Sequence, residues 1–472
     1  MNIVNSLFIF LFICLHSVVC YIFLRKFTSR RYTHKWSKYL KFLLGNQRLK
    51  TFKNVPMNDI IQIYKEFPKT KINCFYNILQ PTILVRDAAL ISKIVQTQSD
   101  YYEELFHPSD LNAKGVQSSN HSFFLRHLPA HFPHIKKCVT HVLEYLEDCG
   151  STDLDTKQLF SNFTSDVLIY SIMGRRFNSF NYVFTPYFLL VSEMPRYEDI
   201  GCLRYFFSKT FPRLYKFLGL TKKNDMVLES VRKFVEARKY EKKMDNNYIH
   251  FLIDSQKESG TKIDLARHVL NLYMNSFEIC TNLMSFMAYE LAMNPRVQQF
   301  LYDEIETVML QSDGAPGCEE IMMMEYLHMV VSETLRKWPV VPAATTVCTK
   351  NMILDNSVFW KGEHIVIPIV GLHRDPKHFP NPTEFDPERF LEDKKDGIKP
   401  DTFHPFGLGL KNRLGSSLAF IQIKILFVYL LSKFEFLPVP CNISDEYITN
   451  KKTFSLGLQH RNKIKSNDQV QV

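Results

Sequence analysis

The chain has 472 residues, of which 46% are hydrophobic and 22% charged, with a formal net charge of +10. That balance excludes a disordered or fibrous chain and supplies apolar surface for one large domain or two of medium size. Aromatic residues make up 14%, most of them among the 39 phenylalanines, so a ring-lined core or cavity is expected, which favours an apolar ligand.

The ten cysteines (Cys14, Cys20, Cys74, Cys138, Cys149, Cys202, Cys280, Cys318, Cys348, Cys441) are scattered, with no Cys-x-x-Cys pair and no tight Cys/His cluster. Neither a zinc site nor a disulfide framework is indicated, which suits a reduced, cytosol-facing body. The positive charge admits nucleic acid, a membrane surface or an acidic protein as partner. No nucleic-acid motif accompanies it, so no nucleic acid is expected.

Part of the charge has a definite place. Ile3 to Leu24 is almost uninterrupted apolar sequence with no formal charge, His16 being its one histidine, and it is long enough to cross a bilayer. Arg25, Lys26, Arg30, Arg31, Lys35, Lys38 and Lys41 follow. Lysine and arginine stay cytoplasmic, so the N-terminus is expected in the lumen and the body in the cytosol. A cleaved signal peptide needs a basic start, and Met1 and Asn2 supply none. Residues 1–24 therefore read as a transmembrane signal-anchor, 25–55 as a basic linker and 56–472 as one domain.

Next, "TKINCFYNILQPTILVRD" alternates polar and apolar residues as a short hairpin does, and "AALISKIVQT" reads as a helix. Apolar residues recur at helical spacing from Phe132 to Ile172, Met226 to Ser255 and Leu265 to Val308. The stretch "HVLNLYMNSFEICTNLMSFMAYELAMNP" is apolar on nearly every face, so it belongs at the centre of a large domain, with Pro295 marking an end or restart. Prolines 339, 342, 368, 376, 380, 382, 387, 400 and 405 then break the chain into turns and short strands such as "HIVIPIV". A glycine-punctuated turn, "FHPFGLGLKNRLG", leads into a last helix from Gly415 to about Phe434. The body is thus mainly α with small β-sheets.

Glu333 and Arg336 in "SETLRKWP" lie one helical turn apart on one face. Alone this is a surface ion pair. With Glu278 in the central helix upstream, and Arg389 in "LHRDPKHFPNPTEFDPERF" and then the glycine turn downstream, the chain resembles the cytochrome P-450 superfamily of haem-thiolate monooxygenases. The microsomal animal members are most similar, the insect xenobiotic-metabolising branch above all. The resemblance implies the cytochrome P-450 fold, haem, a lipophilic small-molecule substrate, NADPH-cytochrome reductase as partner and residence in the endoplasmic reticulum membrane. It also implies that Glu333, Arg336 and Arg389 form a buried ion triad beside the haem, and that Arg126, Lys411 and Phe406 would touch the cofactor.

At the reactive positions the chain departs from that pattern. The family's turn reads Phe-x-x-Gly-x-Arg-x-Cys-x-Gly, its cysteine thiolate being the axial iron ligand. Here Phe406, Gly409 and Gly415 match, Lys411 replaces the arginine and Arg413 replaces the cysteine. A thiolate donates electron density to iron, whereas a guanidinium has no available lone pair and carries positive charge. Ser122 stands where the family has a propionate-binding tryptophan, and Thr346 where it has a strand arginine. The oxygen-activating pattern Ala-Gly-x-Glu-Thr-Thr is here Asn275, Ser276, Phe277, Glu278, Ile279, Cys280. Ile279 cannot relay a proton, and Thr281, two positions on, lies about 200° further round the helix. The proline-rich hinge that follows the family's anchor is missing.

Two readings follow: a membrane-anchored protein of this fold that binds a lipophilic ligand or a partner without monooxygenase activity, and a haem enzyme whose iron takes another ligand. His404 and His373 are the nearest candidate ligands in sequence, read otherwise as a surface-loop residue and a strand-end packing residue. No other cysteine is an evident substitute, since Cys441 lies beyond the helix that follows the turn and Cys280 sits in the central helix, on the opposite side of any haem. A single-base change also separates a cysteine from an arginine codon, so an allele or sequencing error at 413 is a third account, one that leaves Ser122, Thr346 and Ile279 unexplained.

Overall fold

The computed structural model describes residues 57–66, 68, 70–77, 80–96, 102–104, 127–149, 153–181, 225–240, 247–259, 264–355, 357–395, 398, 400–407, 413–438 and 455–461. The expected anchor and basic linker lie outside the described residues. Among the described residues no helix is long and apolar enough to cross a membrane.

In chain order the helices are α1 (Met57–Glu66), α2 (Ala88–Gln96), α3 (Leu128–Cys149), α4 (Thr156–Met173), α5 (Asp225–Tyr240), α6 (Tyr248–Ser259), α7 (Leu265–Met293), α8 (Pro295–Gln311), α9 (Cys318–Met323), α10 (Glu325–Lys337), α11 (Ile369–His373), α12 (Glu392–Lys395) and α13 (Arg413–Lys433). The strands are β1 (Ile72–Asn77), β2 (Gln80–Val85), β3 (Tyr102–Glu104), β4 (Asp153–Asp155), β5 (Ala344–Cys348), β6 (Met352–Leu354), β7 (Ser357–Phe359), β8 (His364–Ile367), β9 (Phe434–Leu437) and β10 (Ser455–His460). The mainly helical body with small sheets agrees with the sequence reading, as do the β1–β2 hairpin, α2, and a helix restart at Pro295.

The chain divides into two compact units, one of residues 1–55, 62–105 and 343–368, the other of 56–61, 106–342 and 369–472. The first carries a sheet in the order β1-β2-β8-β5-β3, antiparallel except for the parallel β2–β8 pair. Ile83, Val85, Ile365 and Ile367 of its central strands are buried, as are Leu90, Ile91 and Ile94 of α2.

In the second unit α7 is the axis, packed by α4, α5, α10 and α13. Asp264 caps its start by accepting from the Arg267 N–H at 3.2 Å, and Asn294 followed by Pro295 ends it. Helix α4 is capped in the same way by Asp155 and stopped by Gly174, whose φ of 68° suits a residue without Cβ. Both helices are buried on most faces. Asp166, fully buried on α4, accepts from the backbone N–H and the hydroxyl of Ser179, and burial raises its pKa to about 6.

The junction of α9 and α10 depends on two charged groups that reach it from other helices. Lys424, 3% exposed in the middle of α13, donates to the carbonyls of Met322 (2.9 Å) and Met324 (3.2 Å). Glu304 of α8 accepts from the Tyr326 and Leu327 N–H groups at 2.8 and 2.9 Å. The lysine thus satisfies free carbonyls at one helix end and the carboxylate free amides at the next. Burial lowers the Lys424 pKa from 10.5 to about 8, opposed by Glu304.

A depressed lysine pKa means that between about 8 and 10.5 the unfolded chain holds a proton that the folded chain has released. Stability contributed by this site therefore rises with pH across that window. Compared with Lys424→Met, the wild-type protein should gain on the order of 2 to 3 kcal/mol between those limits. Urea denaturation of both proteins across the pH series measures it, and parallel pH profiles would contradict the assignment.

Candidate functional site

Helix α10 ends in "SETLRKW", and its inward face places Glu333 and Arg336 one turn apart, both fully buried. Arg336 Nε donates to Glu333 Oε2 at 2.6 Å and Nη2 to Glu333 Oε1 at 2.8 Å. Its remaining N–H groups reach the carbonyls of His373 (2.9 Å), Pro382 (2.9 Å) and Glu384 (3.0 Å). All five guanidinium donors are therefore used, which a buried cation requires.

Glu333 Oε1 also accepts from the Asp386 N–H at 2.9 Å, and Arg389 Nε lies 3.4 Å away. That nitrogen is within ion-pair range but has no aligned acceptor, so its link to Glu333 is Coulombic. The Arg389 head is held instead by the carbonyls of Pro380 and Asn381. Glu333, Arg336 and Arg389 thus lie together, joining α10 to residues 373–389.

His373 carries this frame onward. It is fully buried; Nδ1–H donates to the Arg336 carbonyl at 3.1 Å, and Nε2 accepts from the His404 N–H at 3.0 Å. Burial and the neighbouring Arg336 cation lower its pKa to about 3, so it stays neutral. Its ring stacks on Phe403 at 5.2 Å. His404 is partly buried; its Nε2–H donates to the Asp401 carbonyl at 3.0 Å, and burial lowers its pKa. His373 is thus a buried packing residue, at the end of α11 rather than of a strand, and it fixes the backbone at the glycine turn; His404 is partly buried rather than a surface residue and bonds the Asp401 carbonyl just before that turn.

Phe406 packs against the main core and tilts onto Phe420, and Gly407 turns with φ of 88°. The Val340 N–H donates to the Pro405 carbonyl at 3.1 Å, so the chain enters the glycine turn in a fixed position. Helix α13 begins at Arg413, two residues earlier than expected, putting a cationic residue at the helix end where the dipole favours anions. Lys411, Ser122, Arg126 and Cys441 lie outside the described residues.

On α7, Glu278 is exposed and Ile279 is half-buried against the main core. Cys280 is fully buried and accepts from Gln422 Nε2 at 2.7 Å; burial pushes its thiol pKa well up, so it remains protonated. The hydroxyls of Ser276 and Thr281 are buried without a partner. Thr346 is a buried residue of β5 in the other compact unit.

One buried charge cluster was not anticipated. Glu290 of α7 is 1% exposed, accepts from Trp338 Nε1 at 2.7 Å and pairs with Lys337 at 2.9 Å. Trp338 stacks on Phe286 at 4.7 Å, with the Arg374 guanidinium over its ring. The sequence signal was a lone carboxylate in an otherwise apolar stretch, "AYELAM".

With this geometry in place, comparison with known proteins settles the class. The cytochrome P450 family model matches residues 111–463, and the chain belongs to that family. It is 28% identical over 468 residues to cytochrome P450 9e2 of Blattella germanica, covering 84% of this chain and 87% of that protein. Probable cytochrome P450 9f2 of Drosophila melanogaster is also 28% identical, over 84% of this chain and 86% of its own. Cytochrome P450 3A28 of Bos taurus is 29% identical over 60% of this chain and 59% of its own.

Members of this family normally bind haem. The donors described around the glycine turn do not fit an axial iron ligand. Both nitrogens of His373 and the Nε2 of His404 are taken by backbone groups, and Cys280 is a protonated thiol bonded to Gln422. Among the described residues no group of three or more His, Cys, Asp or Glu side chains could hold a metal ion.

Glu333→Ala should destabilise the protein by about 3 to 5 kcal/mol, because it strands the buried Arg336 charge. Arg389→Ala should cost less, about 1 to 3 kcal/mol, since its main bonds are to carbonyls. Denaturant midpoints of purified variants test this order, and a wild-type midpoint for Glu333→Ala would contradict it.

Proposed function

We propose that this P450-family chain does not carry out thiolate-driven oxygen activation and that it acts by binding a lipophilic small molecule or a partner. Residues 3–24 anchor it in the endoplasmic reticulum membrane, 25–55 form a basic linker, and the domain from 56 onward faces the cytosol. The observation that carries this reading is Arg413, which stands at the family's axial-cysteine position and opens α13. A thiolate there would supply the electron push for O–O cleavage. A guanidinium supplies no electron pair and adds like charge beside a ferric centre.

Other changes point the same way. Ile279 stands where a proton-relaying hydroxyl is expected, and Ser122 and Thr346 replace two propionate donors. Against these losses, the Glu333–Arg336 frame has every donor satisfied. Undirected drift would not spare a buried ion network in particular, so retention of the frame favours a chain still required to fold.

The reduced protein should show no thiolate-type Soret band with carbon monoxide, and no monooxygenase turnover with NADPH and its cytochrome reductase. Arg413→Cys should recover weak haem binding at most and little turnover, because Ile279 still cannot move a proton to oxygen. Stoichiometric haem with a thiolate spectrum in the unmodified protein would overturn the reading.

Topology has a separate test. Asn120-His121-Ser122 and Asn442-Ile443-Ser444 are glycosylation acceptors by sequence. With a cytosolic body they should stay unmodified in microsomes, so an endoglycosidase-sensitive mobility shift would place the body in the lumen.

A further inference from the structure

Helix α4 runs out into Gly174-Arg175-Arg176-Phe177-Asn178-Ser179-Phe180-Asn181, a segment without helix or strand that closes in a turn at its end. Its start is fixed, because Arg238 of α5 donates to the carbonyls of Met173 at 2.8 Å and Gly174 at 3.3 Å. Its far end is fixed by one residue. Ser179 Oγ donates to Asp166 Oδ1 at 2.6 Å, and the Ser179 N–H reaches Oδ2 at 3.0 Å and Oδ1 at 3.2 Å. The Asn178 side chain accepts from the Phe180 N–H at 3.1 Å, and the Phe180 ring tilts onto Tyr145 of α3 at 5.1 Å.

Asp166 is fully buried on α4, and the Ser179 groups that hold it are neutral, a hydroxyl and an amide. A phosphoryl group on that hydroxyl would set about two negative charges and three oxygens against a carboxylate. Neither the charge nor the space of a 2.6 Å contact would let the closed arrangement form again. Between the two ends Arg175 and Arg176 are exposed, and Arg176 precedes Ser179 by three residues. That is the spacing at which a basophilic serine kinase holds an arginine in its acidic substrate groove.

We infer that Ser179 is a phosphorylation site for an arginine-directed serine kinase, and that phosphorylation releases residues 175–181 from α4. The kinase reaches Ser179 when the segment, which belongs to no helix or sheet, opens locally. Ser179 Oγ then bonds to the γ-phosphorus of ATP and the bond from that phosphorus to the bridging oxygen breaks. ADP leaves, and the hydroxyl proton passes to the kinase's catalytic carboxylate. The phosphate pairs with the neighbouring arginines, which leaves Asp166 to water and parts Phe180 from Tyr145. The kinase has to share the compartment of the body, so the inference rests on the cytosolic placement proposed above.

The purified full chain is incubated with ATP and a calmodulin-dependent protein kinase that selects arginine three residues before its serine. Mass spectrometry of the tryptic peptide beginning at Phe177 locates the phosphate, and a synthetic peptide of residues 170–184 gives the rate for an open segment. Both substrates should be modified at Ser179. Arg176→Gln should slow each by roughly tenfold, the loss expected of one charge-assisted hydrogen bond. Asp166→Asn should speed modification of the folded protein, because it weakens the bonds that close the segment.

Limited trypsin digestion reads the release. Ser179→Asp should be cut after Arg175 and Arg176 about tenfold faster than Ser179→Ala, which loses the same hydroxyl bond without adding charge. Adding Asp166→Asn should remove that difference, since the excess comes from like charges. Failure of the folded protein to accept phosphate, whether or not the peptide does, overturns the site. Phosphate on Ser179 without faster cleavage, or equal cleavage of Ser179→Asp and Ser179→Ala, overturns the release. A glycan on the body in microsomes would overturn the cytosolic placement, and the kinase's access with it, whatever the purified protein does.

Discussion

A guanidinium with no access to water holds the second compact unit together around its prospective site. Arg336 can be buried only because each N–H finds an oxygen, and those oxygens come from Glu333 on its own helix and from carbonyls at 373, 382 and 384. The proline-rich segment makes only local turns of its own, such as His378 and Phe379 on the Asp375 carbonyl and Glu384 on Asn381, and this one cation ties those turns to α10. His373 extends the constraint to His404 and so to the glycine turn. None of these bonds involves position 413.

That separation explains how fold and chemistry can diverge. The frame uses backbone carbonyls, a carboxylate and two arginines, whereas the chemistry of the family uses an anionic sulfur, a helix hydroxyl and propionate donors. Changing the second set leaves every donor of Arg336 satisfied. Similar logic governs the junctions elsewhere in the unit, where Lys424 and Glu304 supply missing partners at helix ends and Glu290 gathers Trp338 and Lys337 against α7. Each is a buried or partly buried charge placed where backbone or indole dipoles need one, which makes the interior polar at its joints and apolar along its helices.

The structure also narrows what the site could do. The two histidines named from sequence proximity are committed elsewhere: His373 to two backbone groups and His404 Nε2 to the Asp401 carbonyl. Proximity in sequence overestimated them because it cannot see that a fully buried imidazole must place both nitrogens.

Local pattern alone determined the helical body, the β1–β2 hairpin, the restart at Pro295 and the last helix, because periodicity, proline and glycine act over a few residues. It also determined the family, through motifs spaced along the chain, and the identity of the residue at 413. Tertiary structure alone decided which polar groups were partnered. Arg336 reaches carbonyls up to 48 positions away, Gln422 meets Cys280 across 142 positions and Glu290 meets Trp338 across 48. Sequence spacing carries no record of such pairings, since they arise from burial, which drives charges and amides in the interior toward whatever partner the packing brings near.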